Sequence, residues 1–164
     1  MPGNDYQSWR KLQAACDEAF RTYPDSCSHA VWHVIRQYIP DQPYLSANNL
    51  IEYLAINPKW QEVQIQELAQ LANDGALVVG GAAESSHGHV IVVYPGQPKD
   101  DGGYYYTKRN GKLVLAAAHS TYPLAMSTSM GNWPGAKSNG DKTIADPWPR
   151  DQFKKVRFWK YLGK

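Results

Sequence analysis

The chain has 164 residues, enough for one domain with a buried core and few for two. Seventeen basic and 15 acidic side chains leave a formal charge of +2, which argues against a dedicated nucleic-acid binder, whose basic footprint is lopsided. No apolar run approaches the roughly 18 residues of a membrane-spanning helix, and the polar start Met1-Pro2-Gly3-Asn4-Asp5 lacks the basic-then-apolar order of a secretory signal peptide.

Residues 6–22 predict a first helix, because Trp9, Leu12, Ala15, Cys16, Ala19 and Phe20 recur at helical spacing. Cys16 lies on that stripe and is expected to be a small core residue. Asp25-Ser26-Cys27-Ser28 opens a second helix. Asp25 and Ser26 are good N-cap residues, and Pro40 is the expected stop. Cys27, Ala30, Val31, Val34, Ile35 and Tyr38 share one face of it. His29 and His33 lie off that face, one turn apart. With no third ligand and no His-Glu-x-x-His pattern, they predict a solvated face rather than a metal pair. Ser46 caps a third helix, with Ala47, Leu50, Ile51 and Leu54 inward and Asn57-Pro58 at its end. Trp60, Val63 and Ile65 alternate loosely, and 67–73 is a helical turn closed by Asp74-Gly75.

The period then changes. Ala76-Leu77-Val78-Val79 predicts a strand, 80–86 a loop, and His89–Tyr94 a second strand ended by Pro95-Gly96. Strands at 104–108 and 112–117 flank Asn110-Gly111, a strong hairpin signal. Residues 120–145, rich in Ser, Gly, Asn and Pro, predict a long loop, and Val156–Tyr161 a closing strand. Helices first and strands afterwards predict an α+β fold, with N-terminal helices packed on an antiparallel sheet, in one domain spanning 1–164. The aromatic excess, 11 Tyr and 6 Trp, suits either a groove that grips a polar ligand or an aromatic-rich core.

Two cysteines are too few for a disulfide scaffold. They can pair once, or one can be a working thiol. Cys27 begins a helix, where free backbone N–H groups and the positive end of the dipole are expected to lower a thiol pKa and to bind an oxyanion. A cysteine buried on an apolar face is the competing reading. The candidate base is His89, which starts an apolar strand directly after Gly88. His87, two residues back, is expected in the preceding loop.

Asp25-Ser26-Cys27-Ser28-His29-Ala30-Val31, followed by His87-Gly88-His89-Val90-Ile91-Val92-Val93, resembles the Cys box and Gly-His-Val strand of papain-like cell-wall amidases. These include NlpC-type peptidases and the cysteine/histidine-dependent amidohydrolases, and the likeness is closest to the small amidase effectors of type VI secretion. It covers roughly residues 8–95, with a weaker echo from Tyr122-Pro123 to Ser129 and at Trp148. The resemblance implies a papain-like fold and a cysteine peptidase that hydrolyses an amide bond in the peptide stem or crosslink of bacterial peptidoglycan, with no metal or cofactor. Cys27 would be the nucleophile, His89 the base, and the backbone N–H of Cys27, with that of Ser28, the oxyanion site. The third member would be Ser127, placed just after Tyr122-Pro123 as in the effectors, with His119 its rival on the NlpC pattern. Basic side chains near the groove would steer the carboxylates of the stem. The implied partners are peptidoglycan stem peptides, a cognate immunity protein and the secretion machinery, with no nucleic acid and no membrane. The implied place of action is the periplasm of a target cell, after synthesis in the cytoplasm without a signal peptide. A phage or housekeeping wall hydrolase, and a non-catalytic glycan- or peptide-binding module on the same scaffold, are the alternatives.

Overall fold

Leu12, Ala15, Cys16 and Ala19 form one buried stripe along the first helix, α1 (Pro2–Thr22). In the computed structural model, residues 2–85, 87–101, 106–109, 112–115 and 120–163 are described. Helix α2 (Cys27–Arg36) buries Ser28, Ala30, Val31, Val34 and Ile35, which matches the face expected from the spacing. It stops before Pro40, because the chain tightens into short-range bonds from Gln37 N–H to Val34 C=O (3.0 Å) and from Tyr38 N–H to Ile35 C=O (2.9 Å). Tyr38 therefore lies beyond the helix, though it still packs on the core. Helix α3 (Ala47–Ile56) buries the four expected residues. Strand β1 (Trp60–Val63) follows, then α4 (Ile65–Asn73), whose Glu67 carboxylate accepts from the Gln64 N–H at 2.9 Å.

The second half supplies the rest of the sheet: β2 (Val78–Ala82), β3 (His89–Asp100), β6 (Thr121–Ser127), β7 (Ser138–Thr143) and β8 (Arg157–Tyr161). With β1 they form six antiparallel strands in the order β1-β8-β2-β3-β6-β7. Strands β4 (Tyr106–Arg109) and β5 (Lys112–Leu115) pair as a separate antiparallel ribbon; Asn110-Gly111 lies outside the described residues. A short helix, α5 (Arg150–Phe153), precedes β8. All of α1 to α4 contact β3, whose Val90-Ile91-Val92-Val93 is wholly buried. The fold is mixed α and β with an antiparallel sheet, as the element order predicts.

Three boundaries differ from the sequence reading. Gly80, Gly81 and Ala82 belong to β2 rather than to a loop. A side chain at Gly80 would meet the buried ring of Phe158 at 2.5 Å, so glycine is what lets β8 lie against the strand. Strand β3 does not end at Pro95-Gly96 but runs on to Asp100, because its pairing with β6 shifts register between Tyr94 and Lys99 and absorbs the proline there. The stretch 120–145 is not one loop: it holds β6 and β7. Strand β8 lies between β1 and β2 rather than at a sheet edge.

Candidate active site

Ser26 is the N-cap of α2. Its extended backbone (φ −140°, ψ 107°) turns the chain into the helix, and its Oγ accepts from the His29 N–H at 3.3 Å. Cys27 is the first helical residue, so its sulfur lies where the main-chain donors of the first turn are unpaired. The backbone N–H groups of Val90, Ser28 and Cys27 lie close enough to that sulfur to favour its thiolate. Val90 directly follows His89, so the thiol stands at the first peptide of β3. This approach joins two residues 63 positions apart in sequence. Burial nevertheless outweighs the three donors and pushes the Cys27 thiol above its ordinary pKa, opposite to the lowering expected from the helix terminus alone.

His89 is the first residue of β3, and Ser127 is the last of β6. Ser127, 1% exposed, has one hydroxyl proton, and it donates that proton to the Ala136 carbonyl at 2.9 Å. Its oxygen therefore accepts from His89 Nε2–H, also at 2.9 Å. The pair of bonds selects one tautomer: Nε2 carries the proton and Nδ1 keeps its lone pair. Burial lowers the His89 pKa from 6.5 to about 4, so the ring is neutral at neutral pH. The indole of Trp148 meets it edge-on, with centroids 5.2 Å apart and planes at 74°. The resting pair is thus a thiol and a neutral imidazole.

Of the two candidates for the third position, Ser127 is the one in contact with His89; His119 lies outside the described residues. Cys16 is a fully buried free thiol, its pKa driven well up by burial, and Cys27 is free and half-buried. His29 and His33 do not form the solvated face expected of them. Tyr23 and Tyr44 stack on His29, with centroids 5.4 and 4.1 Å away, and Trp32 meets it edge-on. His33 bonds Glu18 at 2.9 Å. The aromatic side chains that sequence spacing assigned to no face thus cover α2. Among the described residues, no three His, Cys, Asp or Glu side chains gather as a metal site.

Cys27 and His89 line a groove of about 610 Å³, with Ser127 buried behind the histidine. Its lining combines the apolar side chains of Met130, Trp133, Pro147, Trp148 and Pro149 with the polar ones of Asp25, Glu84 and His87. The Asp25 carboxylate accepts from Lys137 Nζ at 3.0 Å, which links the loop after β6 to the start of α2. No lysine or arginine lines the groove among its described residues; the basic side chain beside it, Lys137, is paired with Asp25. Asn48 on α3 clamps the wall that leads to His89. Its Nδ2 donates to the Glu84 carbonyl at 2.7 Å, and its Oδ1 accepts from the Glu84 N–H at 3.2 Å. Gly88 is needed beside this clamp, since a Cβ there would lie 2.3 Å from Asn48 Oδ1. Asn48, Glu84 and the Ala136 carbonyl carry no sequence signal, because each acts on a partner that only the fold brings near. Comparison with protein-family models and with curated proteins gave no match for this chain.

Proposed function

We propose that the chain is a papain-like cysteine peptidase that hydrolyses an amide bond in the peptide stem or crosslink of bacterial peptidoglycan. Its biological role in this reading is that of an interbacterial toxin, carried out by type VI secretion and acting in the periplasm of the target cell. The chemistry rests on one observation above all: Cys27, near the Val90 N–H of β3, lines the same groove as a neutral His89 whose Nε2–H is held by Ser127. The peptidoglycan target and the toxin role rest on the resemblance of the Cys box and the Gly-His-Val strand.

In this mechanism Cys27 Sγ attacks the amide carbonyl while His89 Nδ1 takes the thiol proton, so charge develops only as the bond forms. The N–H groups of Cys27 and Ser28 stabilise the oxyanion of the tetrahedral intermediate. The imidazolium then protonates the leaving amine, and the amine departs from an acyl-enzyme. Water, deprotonated by His89, releases the acid and restores the thiol. Ser127 holds the ring in the productive tautomer throughout.

The test is digestion of purified sacculi, with mass spectrometry of the released muropeptides. The intact chain yields new amine and carboxyl termini in the stem, whereas Cys27→Ala yields none and melts within a few degrees of the parent. Sacculi left uncut by the intact chain, in a buffer where a known amidase cuts them, overturn the reading.

A further inference from the structure

Glu84 has a feature that the hydrolytic trio does not use. Its backbone is clamped on both sides by Asn48, yet its own carboxylate is exposed on the groove wall and has no hydrogen-bond or ion-pair partner among the described residues. The other acid lining the groove, Asp25, already holds an ammonium, that of Lys137. The rest of the lining is largely apolar, with Met130, Trp133, Pro147, Trp148 and Pro149, and low-dielectric surroundings strengthen the field of a charge set among them. The groove therefore presents an uncompensated negative charge, with no lysine or arginine lining it to receive a substrate carboxylate.

We infer that Glu84 is a specificity-determining residue, which seats a free ammonium of the substrate peptide. It rests on the amidase reading of the same groove and narrows its substrate class. A stem peptide has carboxylates, which this wall repels, and the side-chain ammonium of its diamino acid, which the wall attracts. That nitrogen is cationic in a free stem and acylated, hence neutral, in a crosslink. The preferred substrate is a stem whose diamino acid carries a free ammonium.

Binding decides this independently of cleavage. Two synthetic stem peptides are titrated into the full-length Cys27→Ala protein by calorimetry: one with its side-chain ammonium free, the other acetylated on that nitrogen. The free peptide binds about fivefold more tightly, the size expected of a solvent-exposed ion pair, and the gap narrows as salt rises. Glu84→Gln removes the preference, and Glu84→Lys reverses it. Equal binding of the two peptides, binding of neither, or a preference that survives Glu84→Gln overturns the inference. If the preference is found and lost with Glu84 while the intact chain leaves sacculi uncut, the inference stands and the amidase reading falls.

Discussion

Ser127 has one proton and two neighbours that compete for it, and the outcome sets the chemistry of His89. Because the hydroxyl donates to the Ala136 carbonyl, it can only accept from the ring. Ser127→Ala removes that acceptor and leaves both the Nε2–H and the Ala136 carbonyl without a partner. The expected result is a loss of roughly 1–3 kcal/mol of stability, read as a lower urea midpoint. A fall in kcat of about a hundredfold accompanies it, because the ring is free to turn or to change tautomer. In the proposed amidase mechanism the depressed pKa of His89 sets the acid limb of activity. Since the ring stays neutral down to about pH 4, kcat/KM falls off near pH 4 rather than near the ordinary 6.5. A profile of kcat/KM from pH 3 to 8 checks this, and a limb centred at 6.5 contradicts it. At this scale the candidate nucleophile and base were legible, since a helix start and a strand start both leave marks in sequence. The net direction of the Cys27 shift was not, because burial is a property of what packs around the thiol.

Strand β2 shows why the elements were only partly legible. Gly80-Gly81 reads as a loop by propensity, and the structure makes it the inner part of a strand, because β8 crosses with Phe158 over Gly80. Phe158 is 2% exposed and cannot swing away. Gly80→Ala is therefore expected to destabilise the protein by about 1–3 kcal/mol through overpacking, measured as a lower melting temperature. A gain in stability, as ordinary strand propensity would give, would show that the ring yields. Strands β6 and β7 escaped the sequence reading for a related reason. Ser138-Asn139-Gly140-Asp141 has turn chemistry, and it becomes an edge strand because β6 offers it hydrogen bonds. Helices α1 to α4 were legible, since an apolar stripe at helical spacing marks each of them locally; the four-residue α5 is too short to show one and was not.

Across the whole molecule, the half-buried, desolvated His89 ties stability to pH. In the unfolded chain His89 binds a proton below about pH 6.5, and in the folded protein only below about pH 4. Between those values unfolding takes up a proton, so stability from this group is complete above pH 6.5 and is lost as pH falls through the window. The slope is at most about 1.4 kcal/mol per pH unit. Urea midpoints at pH 7, 5.5 and 4.5 should fall in the parent and fall less steeply in His89→Gln, whose amide can still donate to Ser127. Parallel slopes would show that the ring titrates normally. By itself the sequence determined helices α1 to α4, the antiparallel α+β class, and the places of Cys27 and His89 at the start of α2 and β3, because local periodicity and element ends encode them. Only the tertiary structure decided that Ser127 meets His89, that Glu84 and Asn48 build the groove wall, and that burial raises the thiol pKa. Each of these depends on groups tens of residues apart brought within a few ångströms, and no local pattern carries such a distance.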